Sequence, residues 1–218
     1  YTTINEKEAF SIVRNKLEEN NTKFQSNGLS IHRKILNASN SEPLKKNVVI
    51  ILVESLSASF MKEFGNEKNI TPFLDSLAQK SIFFNNLYAT GTRTVRGMEA
   101  MSLCIPPTPG QSIIKRPENQ NLFTVSNVFN SKGYNSNFFY GGDGYFDNMN
   151  AFFGGNGFTI YDRGRGSVLS DEIKTTRNNI DDSEVTFENA WGICDEDIYN
   201  KVIKVADEQH DKGKPFFN

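Results

Sequence analysis

Apolar and polar residues are laid out in two different ways along this chain. Residues 3–17 carry apolar side chains at helical spacing behind an acidic first turn, which predicts a helix ended by Asn20 and Asn21. A second, short helix is expected over residues 29–36, before an Asn/Ser-rich linker at 37–43. From residue 47 the pattern changes to alternating strand and helix. Residues 47–53 form an unbroken aliphatic run, the signature of a central parallel strand covered on both faces. Thr71 followed by Pro72 opens a helix reaching about Lys80, and residues 81–88 return as a second strand. Residues 122–131 are amphipathic and stop at Lys132-Gly133; residues 135–140 form a third strand, broken by Gly141-Gly142. Residues 143–153 read as a short aromatic helix or loop, 154–157 as a turn, and 163–183 as a mobile surface loop. Residues 195–209 have acidic caps and apolar Ile198, Val202, Ile203 and Val205, which predicts a helix, and 214–218 look like a strand just beginning.

This alternation predicts an α/β fold, a mostly parallel sheet with helices on both faces, at residues 45–218. Residues 1–44 read as a helical arm and linker packing against it. The chain starts without Met and stops in mid-pattern, so it is expected to be an excised, incomplete piece.

Composition narrows the function classes. The net charge of -2 gives no electrostatic case for nucleic-acid binding. A mean hydropathy of -0.49 suits a soluble piece, and no apolar run approaches the roughly 20 residues that span a bilayer. The 18 phenylalanines predict a phenylalanine-rich core and cleft. Cys104 and Cys194 lack metal-ligand spacing and are read as unpaired thiols, with one disulfide between them as the alternative, while His32 and His210 are read as solvated or capping residues.

The chemistry concentrates where strands end. Glu54 closes the aliphatic run with no turn signal after it, and open α/β sheets place ligands at the carboxyl ends of their strands. Hard divalent cations favour such a carboxylate, although a buried strand can equally end in a solvent-facing Glu. About forty residues later, 90–97 supply hydroxyls, two guanidinium groups and flexible backbone suited to a tetrahedral anion. Thr94 is the candidate nucleophile, a hydroxyl that needs a metal or base to react at neutral pH, with Thr92 as the alternative. Arg93 and Arg96 are candidate phosphate-binding residues, and a helix starting near Thr94 would aim amide groups at the anion. The competing reading is a capping Thr beside exposed arginines, with Glu99 in a supporting or helix-surface role. Tyr140, Asp147 and Asn148 belong to a glycine-rich aromatic loop that lines a substrate cleft or packs over the core. Together the clusters look like half of a metal-assisted phosphoryl-transfer site.

Several stretches, in order, carry a resemblance: 53–56, 71–74, 90–99, 106–110, 131–134 and 140–150. From about residue 45 to 218 the chain resembles the sulfatase-fold lipoteichoic acid synthase and phosphoglycerol transferase family of the alkaline phosphatase superfamily. The resemblance implies an enzyme of the bacterial cytoplasmic membrane whose catalytic domain is extracytoplasmic or periplasmic, anchored through a segment absent here. It implies transfer of glycerol phosphate from a phospholipid head group such as that of phosphatidylglycerol to a glycan or lipid acceptor. The route is a phosphothreonine, with a divalent metal: Mn²⁺ first, or Mg²⁺, Zn²⁺ or Ca²⁺. By position Glu54 resembles the metal-ligating Glu, and Thr94 the nucleophile that also contacts the metal.

Two departures shape the expectation. The family's Asp-His metal ligands do not occur by Phe217, so this piece alone is expected to bind metal weakly and turn over negligibly. Where the synthases carry His and a Trp-Asn-Arg run, this chain has Tyr140 and Asp147-Asn148-Met149, which predicts a different acceptor and head-group pocket. Three other readings compete. A sulfatase would use a formylglycine near Cys104, which lacks the motif's Arg; a phosphoethanolamine transferase would share the Thr nucleophile; a non-catalytic domain would bind anions through Arg93 and Arg96.

Overall fold

A computed structural model describes residues 3–36, 44–106, 108–164 and 176–218. The linker at 37–43 and most of the expected surface loop, 165–175, lie outside the described residues. The chain divides into two compact units, residues 1–45 and 46–218.

In the first unit, helix α1 (Glu6–Leu17) starts where Asn5 accepts the amide of Glu8 at 2.9 Å, and Glu6 and Glu8 sit at the positive end of its dipole. The second expected helix is instead a hairpin: β1 (Thr22–Phe24) pairs antiparallel with β2 (Arg33–Ile35). Arg14 explains the preference. Its guanidinium donates to the carbonyls of Ser26 at 2.9 Å and Ser30 at 2.6 Å and lies 4.1 Å over the Phe24 ring, fixing the connecting loop against α1.

The second unit is α/β. Its elements in chain order are α2 (Pro72–Ala78), α3 (Thr94–Leu103), α4 (Val125–Asn130), β3 (Asn135–Tyr140), α5 (Met149–Gly155), β4 (Thr159–Asp162), β5 (Arg177–Asn179), β6 (Glu188–Asn189), β7 (Gly192–Ile193), α6 (Asp195–Asp211) and β8 (Phe216–Phe217). The sheet runs β5-β4-β3-β8 with every neighbour parallel. Successive side chains of β3 point to opposite faces. Phe138 stacks on Phe153 of α5 at 3.8 Å between centroids, whereas Asn137 bonds Gln209 of α6 at 3.3 Å, so α5 and α6 cover opposite faces. The core between sheet, α3 and α5 holds Val95, Ile114, Met149, Phe152, Phe153, Phe158 and Phe217, largely phenylalanine as expected.

Two expected strands do not form. The run 47–53 is not a covered central strand. Val48 bridges Phe217, Ile50 donates to the Asn218 carbonyl at 2.8 Å, and residues 51–53 have no backbone partner among the described residues. A ladder extends only as far as its neighbour does, so this segment lies at the sheet margin with Val49 to Val53 exposed. Residues 81–88 likewise lack a ladder and expose Ile82, Phe84, Leu87 and Tyr88.

β4 and β5 were not expected. In β4 the buried positions are Ile160 and Asp162, a mixed pair that hides the alternation. β5 reads Arg-Asn-Asn and is held by charge: Arg177 donates to both oxygens of the fully buried Asp162, at 2.8 and 2.7 Å.

Candidate active site

Thr94 is the first residue of α3, and Arg93 occupies the N-cap position. Val95 anchors this end in the core and the Arg96 amide donates to the Arg93 carbonyl at 2.9 Å, so the Thr94 hydroxyl stands at the positive end of the helix dipole. Glu54 arrives from the margin of the sheet. The expected absence of a turn there is corrected: Glu54 and Ser55 form one, with Ser55 at φ 58. The turn brings the carboxylate over α3, where the Thr94 hydroxyl donates to Glu54 Oε1 at 2.7 Å across forty residues of sequence.

Both residues line an open cleft of about 800 Å³. Arg93, Arg96, Tyr140 and Asp147 line it as well. Asn148 does not; it turns away and donates to the Arg116 carbonyl at 3.3 Å. Asp147 and Asn148 hold consecutive left-handed conformations, φ 55 and 63, which Asp and Asn tolerate better than most residues. That kink sends Asp147 into the cleft, where it pairs with Lys115 at 2.5 Å.

The two arginines differ in role. Arg96 is a strut: its guanidinium donates to Glu99 at 3.1 Å and to the Gly110 carbonyl, and its stem packs against Gly91, where a Cβ would sit 3.0 Å away. Glu99 is buried beneath it and also accepts from Ser112 at 2.7 Å, so it ties α3 to the 110–112 loop and is no surface residue. Arg93 is exposed and forms no ion pair among the described residues, which leaves its five donors for a ligand. Burial raises the Tyr140 phenol above its ordinary value, and the carboxylates of Glu54, Asp147 and Asp143 raise it further. Tyr140 is therefore a neutral hydrogen-bond donor at physiological pH.

Sequence reading missed Lys115 and Trp191, which also line the cleft. A lone Lys in a polar stretch carries no local signal. Trp191 is the sole tryptophan of the chain, and that rarity was the available hint. Cys104 caps the far end of α3 in a left-handed conformation, does not line the cleft, and is a free thiol like Cys194.

The family model for sulfatases matches residues 46–218. The chain belongs to the sulfatase family. The sulfatase domain is also similar to a crystal structure of an alkaline phosphatase superfamily protein from Vibrio parahaemolyticus, 37% identical, TM-score 0.68, over 81% of this chain and 40% of that one. The fold is shared with the lipoteichoic acid synthase LtaP from Listeria monocytogenes, 21% identical, TM-score 0.63, over 79% of this chain and 39% of that one. The chain thus spans about two fifths of each of these relatives.

Members of this superfamily are generally enzymes that depend on a divalent metal. Glu54 and Thr94 fit such an ion in kind, as two oxygen donors 2.7 Å apart. They fit it only in part by number: no group of three or more His, Cys, Asp or Glu that could hold a metal gathers among the described residues. No helix among those residues is long and apolar enough to cross a membrane.

Proposed function

We propose that the protein carrying this sulfatase domain transfers a phosphoryl-linked group from a phospholipid such as phosphatidylglycerol to a glycan or lipid acceptor, through a phosphothreonine at Thr94. The observation that carries this reading is the 2.7 Å hydrogen bond from Thr94 to Glu54 at the amino end of α3. With its proton turned toward Glu54, Oγ1 presents lone pairs to the cleft. Arg93 and the α3 amides bind the phosphodiester, Arg96 holds the wall, and neutral Tyr140 donates a further hydrogen bond. The Thr94 oxygen forms a bond to phosphorus as its proton passes to Glu54, the bond to the diacylglycerol oxygen breaks, and that alcohol leaves carrying the proton released. An acceptor hydroxyl then forms its own bond to phosphorus as the bond to Thr94 breaks, and Thr94 regains its proton. A divalent ion such as Mn²⁺, held by Glu54 and Thr94 with further ligands, would supply charge neutralisation there. In this reading the enzyme works at the outer face of a bacterial cytoplasmic membrane, where such lipids meet their acceptors.

The formylglycine reading gains no support from the cleft. Cys104 lies at the opposite end of α3, about 15 Å from Thr94 at 1.5 Å per residue. The direct test is turnover of phosphatidylglycerol by the full-length protein with Mn²⁺. Thr94→Ala is expected to lower kcat by at least about a thousandfold, and Thr94→Ser to retain a measurable fraction. A Thr94→Ala variant within a few-fold of the parent would overturn the phosphothreonine reading, and a parent protein that binds phosphate but shows no turnover would favour an anion-binding module.

A further inference from the structure

Trp191 is placed in a way that packing does not require. It sits in the tight turn between β6 and β7, is 77% exposed, and lines the same cleft as Thr94. Large aromatic rings usually contribute to stability by burial, so an exposed tryptophan on a firm support is informative. The support is firm. Ile193 donates to the Gly141 carbonyl at 2.9 Å, immediately after the site strand β3. A Cβ on Gly142 would lie 2.5 Å from the Trp191 carbonyl oxygen, and one on Gly192 (φ 145) would lie 2.3 Å from the Gly141 oxygen. Only glycine at both positions lets the two backbones approach this closely. Arg163, whose amide donates to the Gly142 carbonyl at 2.9 Å, pairs with Glu188 at 3.1 Å and braces the hairpin from the other side.

The indole has one aromatic neighbour, Phe146, edge-on at 6.3 Å and 88°. Phe146 is also exposed and also lines the cleft. The two rings meet edge to face and line the same cleft as Thr94, Arg93 and Lys115. The indole N–H has no partner among the described residues. Such a pair offers ring surface to C–H groups and one donor to an oxygen, on a hairpin whose backbone is held against Gly141 and Gly142.

We propose that Trp191, with Phe146 at its edge, forms a polyol subsite that takes the C–H face of a glycerol or sugar moiety beside the reacting phosphate. The proposal rests on the phosphoryl-transfer reading of the cleft and assigns its specificity. Two sources share this chemistry: the glycerol head group of the donor, and a glycan acceptor.

Because Trp191 is the only tryptophan in the 218 residues, its emission reports the subsite directly. Titrating the chain with glycerol phosphate, with maltotriose and with inorganic phosphate separates the cases. Saturable quenching or a blue shift with glycerol phosphate, absent with inorganic phosphate, supports the subsite and assigns it to the donor. The same change with maltotriose supports it and assigns it to the acceptor. No change with either polyol, or an equal change with inorganic phosphate, overturns it. In the full-length protein, Trp191→Ala is expected to raise KM for the matching substrate about tenfold with kcat nearly kept, and Trp191→Phe to recover most of the loss. An unchanged KM also overturns the subsite. If instead Thr94→Ala retains turnover, the phosphothreonine reading fails while the emission titrations stand, so the two failures are distinguishable.

Discussion

Two apolar regions of the sulfatase domain meet opposite fates. Around β3, β4 and α5 the phenylalanines interlock: Phe152 is fully buried, Phe153 stacks on Phe138, and Phe129 stacks on Phe217 at 4.4 Å. Between residues 47 and 90 the sequence is also rich in Val, Ile, Leu and Phe. Yet in this chain, which spans about two fifths of its relatives, most of these side chains are exposed and Val48, Leu74 and Phe83 are half-buried. The difference lies in partners. The first region has a parallel neighbour on each side and a helix on each face, whereas among the described residues the second pairs its backbone with the sheet at Val48 and Ile50 alone. Hydrophobic sequence proposes a strand, and a facing layer makes it one. The candidate site straddles this divide, with Thr94 rooted in the core and Glu54 on the margin.

Stability measurements by urea denaturation can sharpen that contrast. Phe152→Ala should cost the most, about 3–5 kcal/mol, since it combines lost burial with a cavity. Asp162→Asn comes next at about 2–4 kcal/mol, because it removes the buried charge that holds Arg177 and also weakens the anchor of the Gly144 amide, which donates to Asp162 at 2.7 Å. If Phe152→Ala were as mild as a surface change, the distinction between the regions would collapse.

Smaller effects follow. Glu184 pairs with Lys201 at 2.6 Å and Lys204 at 2.8 Å, and those hydrogen bonds hold its carboxyl at about 2, below the ordinary 4.5. A depressed carboxylate stabilises the fold above its unfolded value and loses that contribution as pH falls from about 4.5 toward 2. The loss should be no more than about 1 kcal/mol for so accessible a cluster, and Glu184→Gln should abolish the acid-dependent part. Least of all, Ile51→Ala should change stability by no more than about 0.5 kcal/mol, since its side chain is already exposed. A large loss there would mean that the margin is packed in solution.

These contrasts also explain which features could be read from residue order. Helices α1, α4 and α6 announce themselves through local signals, an amphipathic run with an acidic first turn in α1 and α6 and a Lys-Gly stop after α4, and those need no partner. The Glu54 and Thr94 candidates stood at local boundaries, one at a run's end and one at a helix start, which is why both were visible. Their separation was not visible, since it depends on a turn at Ser55 that no Gly or Pro marks. Strand β5 is polar and exists through Arg177 and Asp162, fifteen residues apart, a contact that periodicity cannot express. The same holds for Lys115 against Asp147, and for the hairpin that carries Trp191 to the cleft.

The central claim is that the Thr94 oxygen is the attacking atom. Full-length protein quenched in acid during turnover of phosphatidylglycerol, digested and examined by tandem mass spectrometry, tests it at the residue. A glycerophosphoryl group on Thr94, formed and lost at the pace of turnover, is the predicted result. Steady turnover with Thr94 unmodified, or with the group on Thr92, would contradict the account.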